Sequence, residues 1–281
     1  MRSDQEMMEL ILTAARDDER IRAVMMNGSR VNSKAPRDKF QDYDIVCFVT
    51  DLASFTADHS WVDIFGERLI MQMPDEMQLY PEDKDNPHRF AYLMKFTDGN
   101  RLDLTLVDQL PETFDSLSRI LLDKDDRLPD LPEPSDADYL VKKPSRKEFS
   151  GHANEFWWVS TYVAKGLWRR ELPYAKSMME GPVRSALKRM VSWYIGVRTD
   201  FSVSVGSEGK YFEHYLEDDV WTRYAATYAG GDYESMWDGL FAMVELFCEL
   251  GSVVGDALDY ERPVEEEVFA YLKWVRGDAG D

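Results

Sequence analysis

The sequence predicts an α+β chain in two parts: an N-terminal mixed sheet with flanking helices, followed by a mostly helical C-terminal domain. Three observations predict it. Apolar runs of strand length alternate with turn residues as far as Val107. A stretch from Arg127 to Lys147 then collects Pro129, Pro132, Pro134 and Pro144 among acids and serines, as in a linker or an extended surface connection. Beyond it the apolar residues recur at helical spacing. The boundary is expected near residue 135, giving domains 1–135 and 136–281.

Each element has its own signal. Ser3 to Arg16 is expected to be a helix, with Met7, Leu10, Ile11 and Ala14 on one face and a Ser3/Glu6 capping box. Ile21 to Met26 is a short apolar strand ending at Asn27-Gly28-Ser29. Tyr43 to Val49 is a nearly continuous apolar run, typical of a strand buried on both faces. A helix is expected from Ser54 to about Phe65 and a strand from Arg68 to Met73. Phe90 to Phe96 and the strand carrying Leu102, Leu104 and Leu106 flank a hairpin turn at Asp98-Gly99-Asn100. In the second half, Glu148 to Arg170, Pro182 to Val197, Tyr233 to Leu250 and Pro263 to Arg276 read as helices.

Composition narrows the function classes. Hydrophobic residues make up 44% of 281 residues, enough for a packed core, which excludes wholesale disorder. Lys plus Arg number 33 against 53 Asp plus Glu, a formal charge of −20. That balance disfavours nucleic acid and anionic membrane surfaces as partners and favours cationic small molecules. Cys47 and Cys248 make no disulfide framework and no zinc cluster; Cys47, inside Ile45-Val46-Cys47-Phe48-Val49, is expected to be a buried small hydrophobe. The acidic N-terminal stretch is unlike a secretory signal, and no run approaches the roughly 20 apolar residues of a membrane span, so a cytoplasmic location is expected.

Three short pieces carry chemistry. Gly28-Ser29-Arg30 ends the first strand, Asp42-Tyr43-Asp44 opens the second, and Asp103 sits between Leu102 and Leu104 in a later one. Residues two apart in a strand share a face, so Asp42 and Asp44 present two carboxylates side by side. Their repulsion calls for a cation, and Mg²⁺ is commonly held by one or two carboxylates plus substrate phosphates. Asp103 adds a third carboxylate if its strand is a neighbour. Gly28 permits close backbone approach to a phosphate, the Ser29 hydroxyl can donate to it, and Arg30 could add charge. Together the pieces read as a site for nucleotidyl transfer from a nucleoside triphosphate.

Gly-Ser, then Asp-X-Asp, then apolar-Asp-apolar resembles the pattern of the DNA polymerase β-like nucleotidyltransferase superfamily. The stretches MNGSRVNSK, FQDYDIVCFV, FTADHSWVDIFGERLIMQ and FTDGNRLDLTLV are similar to the aminoglycoside 6-adenylyltransferases, also called streptomycin adenylyltransferases. The similarity continues through NEFWWVSTYVAKGLWRRELPYAK and KRMVSWYIG, so it covers nearly the whole chain. The resemblance implies a nucleotidyltransferase-type catalytic domain followed by a helical substrate-binding domain. It implies Mg²⁺-dependent transfer of AMP from ATP to a hydroxyl of streptomycin, at position 6, with release of pyrophosphate and resistance to the drug. By the same resemblance Asp42 and Asp44 are metal ligands, and Asp103 is the third carboxylate, either ligand or general base.

In the second half, Glu155, Trp158, Tyr162, Lys165 and Arg169 fall on one helical face, while Phe156, Val159, Val163 and Leu167 fall on another. The second set is core. The first suits the wall of a cleft, with Glu155, Trp158 and Tyr162 for the drug and Lys165 for the nucleotide phosphates; a face of snorkelling cations at a domain interface is the alternative. The guanidinium groups of streptomycin want acids, and Glu76, Asp83, Asp85, Glu155, Glu208, Glu213, Asp218 and Asp219 are all candidates. Arg184, Lys188 and Arg189 are expected to be solvated, and His88, His152 and His214 to have surface or structural roles. Two other functions compete: a nucleotidyltransferase with a different small-molecule or macromolecular acceptor, and a non-catalytic nucleotide sensor. The charge opposes a tRNA acceptor, and the presence of all three carboxylates opposes the sensor.

Overall fold

The computed structural model describes residues 1–77, 86–261 and 266–278. They form two compact units, Met1–Asp138 and Tyr139–Asp281.

The first unit begins with α1 (Asp4–Asp17), whose Ser3 cap and Glu6 exchange the reciprocal bonds of a capping box. Its buried face is Met7, Ile11 and Ala15, four residues apart. The strands are β1 (Ile21–Asn27), β2 (Tyr43–Val49), β3 (Arg68–Gln72), β4 (Arg89–Phe96), β5 (Arg101–Val107) and β6 (Ser118–Asp123). They form one mixed sheet in the order β3-β4-β5-β2-β1-β6. Among the described residues β2 and β5 run parallel and the other pairs are antiparallel. Tyr43, Ile45 and Cys47 alternate with Asp44, Val46 and Phe48, and Leu102, Leu104 and Leu106 with Asp103, Thr105 and Val107. The first set of each strand enters the main core beside Met7, Phe55 and Tyr92. Cys47 lies in that core, and burial pushes its thiol up to about 12. The other face is covered by a smaller cluster of Ala23, Met25 and Phe48 under Phe114, Leu128 and Leu131. Its cover ends short of Asp44 and Asp103, which are only half-buried. β2 is therefore buried on both faces at one end and open on one face at the other.

Several expected elements differ. The helix expected over 54–65 is instead α2 (Ala53–Thr56) followed by a 3-10 helix over His59–Phe65. The Asp58 carboxylate accepts from the Ser60 N–H at 2.9 Å and starts a new turn. Val62 and Phe65, three apart, are the buried pair, which suits the three-residue period of a 3-10 helix. β6 was not expected. It is a half-buried edge whose Ile120-Leu121-Leu122 shows no alternation, and a bulge interrupts its register against Val24 and Met25. Within the proline-rich stretch, Leu128 and Leu131 pack on the small cluster, and Asp136 is buried against the Lys34 ammonium.

The second unit is helical: α3 (Arg146–Trp168), α4 (Leu172–Met178), α5 (Arg184–Arg198), α6 (Phe212–Tyr215), α7 (Asp218–Ala226), α8 (Tyr233–Leu258) and α9 (Glu266–Asp278). Its core centres on α3 and α8, where Phe156 and Phe247 stack face to face at 3.8 Å. Trp237 belongs to this core. α8 runs eight residues past the expected Leu250, because Gly251 and Gly255 are buried inside it rather than terminating it. The Pro263 expected to start the last helix lies outside the described residues, as do Asp83 and Asp85. Pro182 does not start a helix. It sits in a π-helical turn, Met179–Val183, that joins α4 to α5; the widened turn accommodates a residue with no N–H.

Arg184 overturns its expected solvation. It is 3% exposed, its guanidinium donates to both Glu180 oxygens, to the Thr227 hydroxyl and to the Thr227 carbonyl, and it lies over the Tyr228 ring at 3.9 Å. Lys188 pairs with Glu208 at 2.5 Å, and Arg189 is exposed. His88, His152 and His214 each make a local contact. His88 meets Asp108 at 2.9 Å, and the His152 and His214 rings pack edge-on against Trp193 and Tyr215.

Candidate active site

The site forms where β1, β2 and β5 lie side by side. The antiparallel register sets Asn27 opposite Asp44, and the parallel register sets Asp44 opposite Asp103. Asp42, two residues ahead of Asp44, projects to the same side. One carboxylate oxygen from each of Asp42, Asp44 and Asp103 lies within 4.8 Å of the others. Three hard oxygen donors at that spacing fit a Mg²⁺-type ion, which takes oxygen ligands and leaves positions for phosphate and water.

The electrostatics carry the same message. Burial, then the neighbouring Asp42 and Asp103 carboxylates, push Asp44 up to about 6 against the pull of Arg101 and Arg30. Asp44 accepts no hydrogen bond among the described residues. Asp103 is held differently. Arg101 grips it with a two-bond fork, Nε to Oδ1 at 2.8 Å and Nη2 to Oδ2 at 2.6 Å, and reaches Asp42 only at 3.9 Å. Arg101 was not foreseen. Its signal was available: an Arg two residues before an Asp in a strand shares that Asp's face.

The turn after β1 is shaped around Asp44. Gly28 has φ +75°, and a Cβ there would overlap the Asp44 carboxylate. Its N–H donates to the Leu117 carbonyl at 3.0 Å, while the Ser118 hydroxyl donates to Asn27 Oδ1 at 2.9 Å, so β6 fixes the start of the turn. Gly28→Ala combines left-handed strain of about 1–2 kcal/mol with displacement of Asp44. It is expected to lower turnover at least about tenfold. Gly99→Ala is the control: Gly99 also has positive φ, but a Cβ there meets only the end of the flexible Met1 side chain. That variant should lose stability and keep turnover; equal losses of turnover in both would refute the packing of Gly28 on Asp44 as the cause.

Ser29 is half-buried, and the Gln41 amide donates to its hydroxyl and carbonyl, each at 3.4 Å. Arg30 is buried and turned inward. It donates to the Asp42 carbonyl at 2.8 Å and to the Gln41 carbonyl at 2.9 Å, pairs with Asp4 at 3.0 Å, and stacks on Tyr43 at 3.6 Å. These bonds brace the backbone that presents Asp42. Burial, then the hydrogen bond to Asp4, hold the Tyr43 hydroxyl up at about 12, so it remains a donor in this brace.

In the second unit, Glu155, Trp158, Tyr162 and Lys165 share one face of α3. Trp158 is exposed and its indole N–H donates to the Tyr162 hydroxyl at 2.8 Å. Lys165 Nζ lies 4.7 Å from the Tyr162 ring centre and 5.9 Å from that of Tyr174. Glu155 is exposed. Among the other acids, Glu76 pairs with His59, Glu208 with Lys188 and Asp219 with Arg223.

Comparison with known proteins places the chain. The family model described as Streptomycin adenylyltransferase matches residues 1–275. The aminoglycoside 6-adenylyltransferase of Campylobacter jejuni is 44% identical over 271 residues, covering 95% of this chain and 93% of that protein. Its counterpart in Bacillus subtilis (strain 168) is 42% identical, covering 95% of each chain, and that of Staphylococcus aureus is 37% identical. A crystal structure of an aminoglycoside 6-adenyltransferase from Bacillus subtilis aligns with a TM-score of 0.49 at 38% identity, over 98% of this chain and 99% of that one. On the family match over residues 1–275 and the identities to the three named relatives, the chain is an adenylyltransferase that belongs to the streptomycin adenylyltransferase family.

Proposed function

We propose that the protein transfers AMP from ATP to a hydroxyl of streptomycin, at position 6, releasing pyrophosphate and conferring resistance to the drug. The observation that carries the chemistry is the convergence of Asp42, Asp44 and Asp103 at adjacent strand positions. The drug comes from the family and from relatives named aminoglycoside 6-adenylyltransferases. Asp42, Asp44 and Asp103 would hold Mg²⁺, which supplies positive charge to the triphosphate and to the oxygen attacking the α-phosphorus. The turn at Gly28-Ser29 offers the Ser29 hydroxyl and backbone N–H groups to phosphate oxygens. Arg30 acts through Asp42, whose carbonyl it holds, and is a positioning residue. In the transfer, the acceptor hydroxyl oxygen bonds to the α-phosphorus and the bond to the β-phosphate oxygen breaks. Pyrophosphate leaves with that electron pair, and the hydroxyl proton passes to a carboxylate or water.

The close spacing of the three carboxylates favours Asp103 as the third ligand. Asp103→Asn separates that role from the base role: a ligand raises the Mg²⁺ requirement, whereas a base lowers kcat and alters the acid limb of the pH–rate profile. Glu155, Trp158 and Tyr162 are proposed as contacts to the cationic drug, with Lys165 as a contact to the nucleotide. An aromatic pair beside a carboxylate suits a guanidinium, and an ammonium suits phosphate.

Substrate choice is tested by mass spectrometry of products from ATP and Mg²⁺ with either streptomycin or kanamycin. An AMP adduct is expected on streptomycin, with a much lower yield on kanamycin, whose deoxystreptamine ring carries no guanidinium groups. The KM for streptomycin should also rise between low and physiological ionic strength, as screening weakens the attraction of a cation to a chain of charge −20. Equal yields on the two drugs would defeat the specificity. No adduct on either drug would move the assignment to a different small-molecule or macromolecular acceptor.

A further inference from the structure

Arg101 stands where a cation is wanted. Its fork takes both oxygens of Asp103, at 2.8 and 2.6 Å. The same Asp103 contributes one of the three converging oxygens of the candidate metal site. A planar guanidinium that spans both carboxylate oxygens uses the directions from which a metal would approach. The Arg101 side chain is 46% exposed, so it has room to swing out, whereas Asp103 is 17% exposed and has little. Asp42 lies at the edge of the guanidinium's reach, and Asp44 makes no hydrogen bond to it. The internal cation thus hydrogen-bonds one carboxylate of the three and reaches a second only at 3.9 Å.

We propose that Arg101 is an exchangeable counter-ion that competes with the divalent metal for Asp103. Resting on the Mg²⁺ reading of this site, the proposal assigns Arg101 as a positioning residue that holds Asp103 until the metal takes one of its oxygens. Arg101 then turns outward and needs a new anionic partner, which the phosphates of the bound nucleotide supply. Metal alone therefore binds weakly, because it must first displace the fork, and nucleotide strengthens metal binding by rehousing the guanidinium. By linkage, metal strengthens nucleotide binding by the same factor.

The test is binding of Mn²⁺ alone, by calorimetry or by the electron paramagnetic resonance signal of the free ion. Wild type, Arg101→Gln, Arg101→Lys and Asp44→Asn are compared, each shown to be folded by its thermal melt. Arg101→Gln is expected to bind Mn²⁺ about 3- to 10-fold more tightly than wild type, since a competing charge is gone. Arg101→Lys keeps the charge but cannot span both oxygens, and should fall between the two. A purely structural Arg101, needed to aim Asp103, gives the opposite sign. Binding in Arg101→Gln equal to or weaker than wild type therefore overturns the proposal, and a Lys variant identical to wild type overturns the fork as the competitor. If wild type binds no Mn²⁺ that Asp44→Asn removes, the metal reading falls, and this proposal with it. Loss of Mn²⁺ in Asp44→Asn together with unchanged binding in Arg101→Gln would defeat the counter-ion role alone.

Discussion

Asp44→Asn is expected to lower turnover at least about 100-fold while making the metal-free protein more stable. The first half follows from the proposed ligand role, since metal charge stabilisation is worth several kcal/mol and each 1.4 kcal/mol is about tenfold in rate. The second follows from the carboxylate's surroundings. Burial and two neighbouring acids raise its pKa to about 6. A group whose folded pKa lies above its unfolded value favours folding when protonated, and that contribution is lost as pH rises through the folded value. At pH 7 the ionised Asp44 therefore weighs against the fold, by about 1–2 kcal/mol once its partial exposure is allowed for. Asparagine keeps the shape and removes the charge, so the variant should melt roughly 2–6 °C higher without metal. The gain should shrink at pH 5, where wild-type Asp44 is itself protonated. On the proposed ligand role, Mg²⁺ should raise the wild-type melting temperature and leave that of Asp44→Asn nearly unchanged. Melts at pH 5 and 7 with and without Mg²⁺, beside a pyrophosphate assay, read all of this. A folded variant with near-normal turnover at saturating Mg²⁺ would remove Asp44 from the metal site.

Arg184→Met should be the most damaging of these changes to the second unit, costing about 3 kcal/mol or more. The guanidinium is the meeting point of three elements: Glu180 in the π-helical turn, the first turn of α5, and Thr227 at the end of α7. Removing it leaves the buried Thr227 hydroxyl with fewer partners and, among the described residues, Glu180 with the Lys176 ammonium at 3.6 Å. Methionine fills part of the volume, so the loss is chiefly of hydrogen bonds and charge rather than of packing. The check is urea denaturation, where the midpoint should fall. Glu180→Gln should cost less, because a neutral amide can still accept from Arg184 and Glu180 itself is only part-buried. A change under about 0.5 kcal/mol in Arg184→Met would show that the buried cluster contributes no net stability.

The strands that build the site were legible in the sequence because their signal is local. Alternation at Leu102, Leu104 and Leu106 and the apolar run after Tyr43 depend only on which residues face the core. The capping box at Ser3 and the turn at Asp98-Gly99-Asn100 are set by neighbours within three residues. The three carboxylates were legible for the same reason, since each stands beside an apolar strand in a recognisable order. The helix lost at Asp58 and the edge strand at Ser118–Asp123 were hidden by weaker local patterns, with side-chain capping and pairing to β1 deciding between near-equal alternatives.

What the sequence determined by itself is the set of chemical groups: three aspartates in family order, a Gly-Ser turn, an acidic chain and a helical second half. Only the tertiary structure decided what the cations do. In one dimension Arg30, Arg101 and Arg184 are alike, each with one polar and one aliphatic neighbour. In the fold, Arg30 is sealed under Tyr43 to brace Asp42, Arg101 is left at the rim gripping Asp103, and Arg184 is buried to join three helical elements. A guanidinium's role depends on which acceptors lie within hydrogen-bond reach and how much water is excluded around them. Both are set by strand register and helix packing between residues far apart in the chain, as Arg101 and Asp42 or Arg184 and Thr227 are.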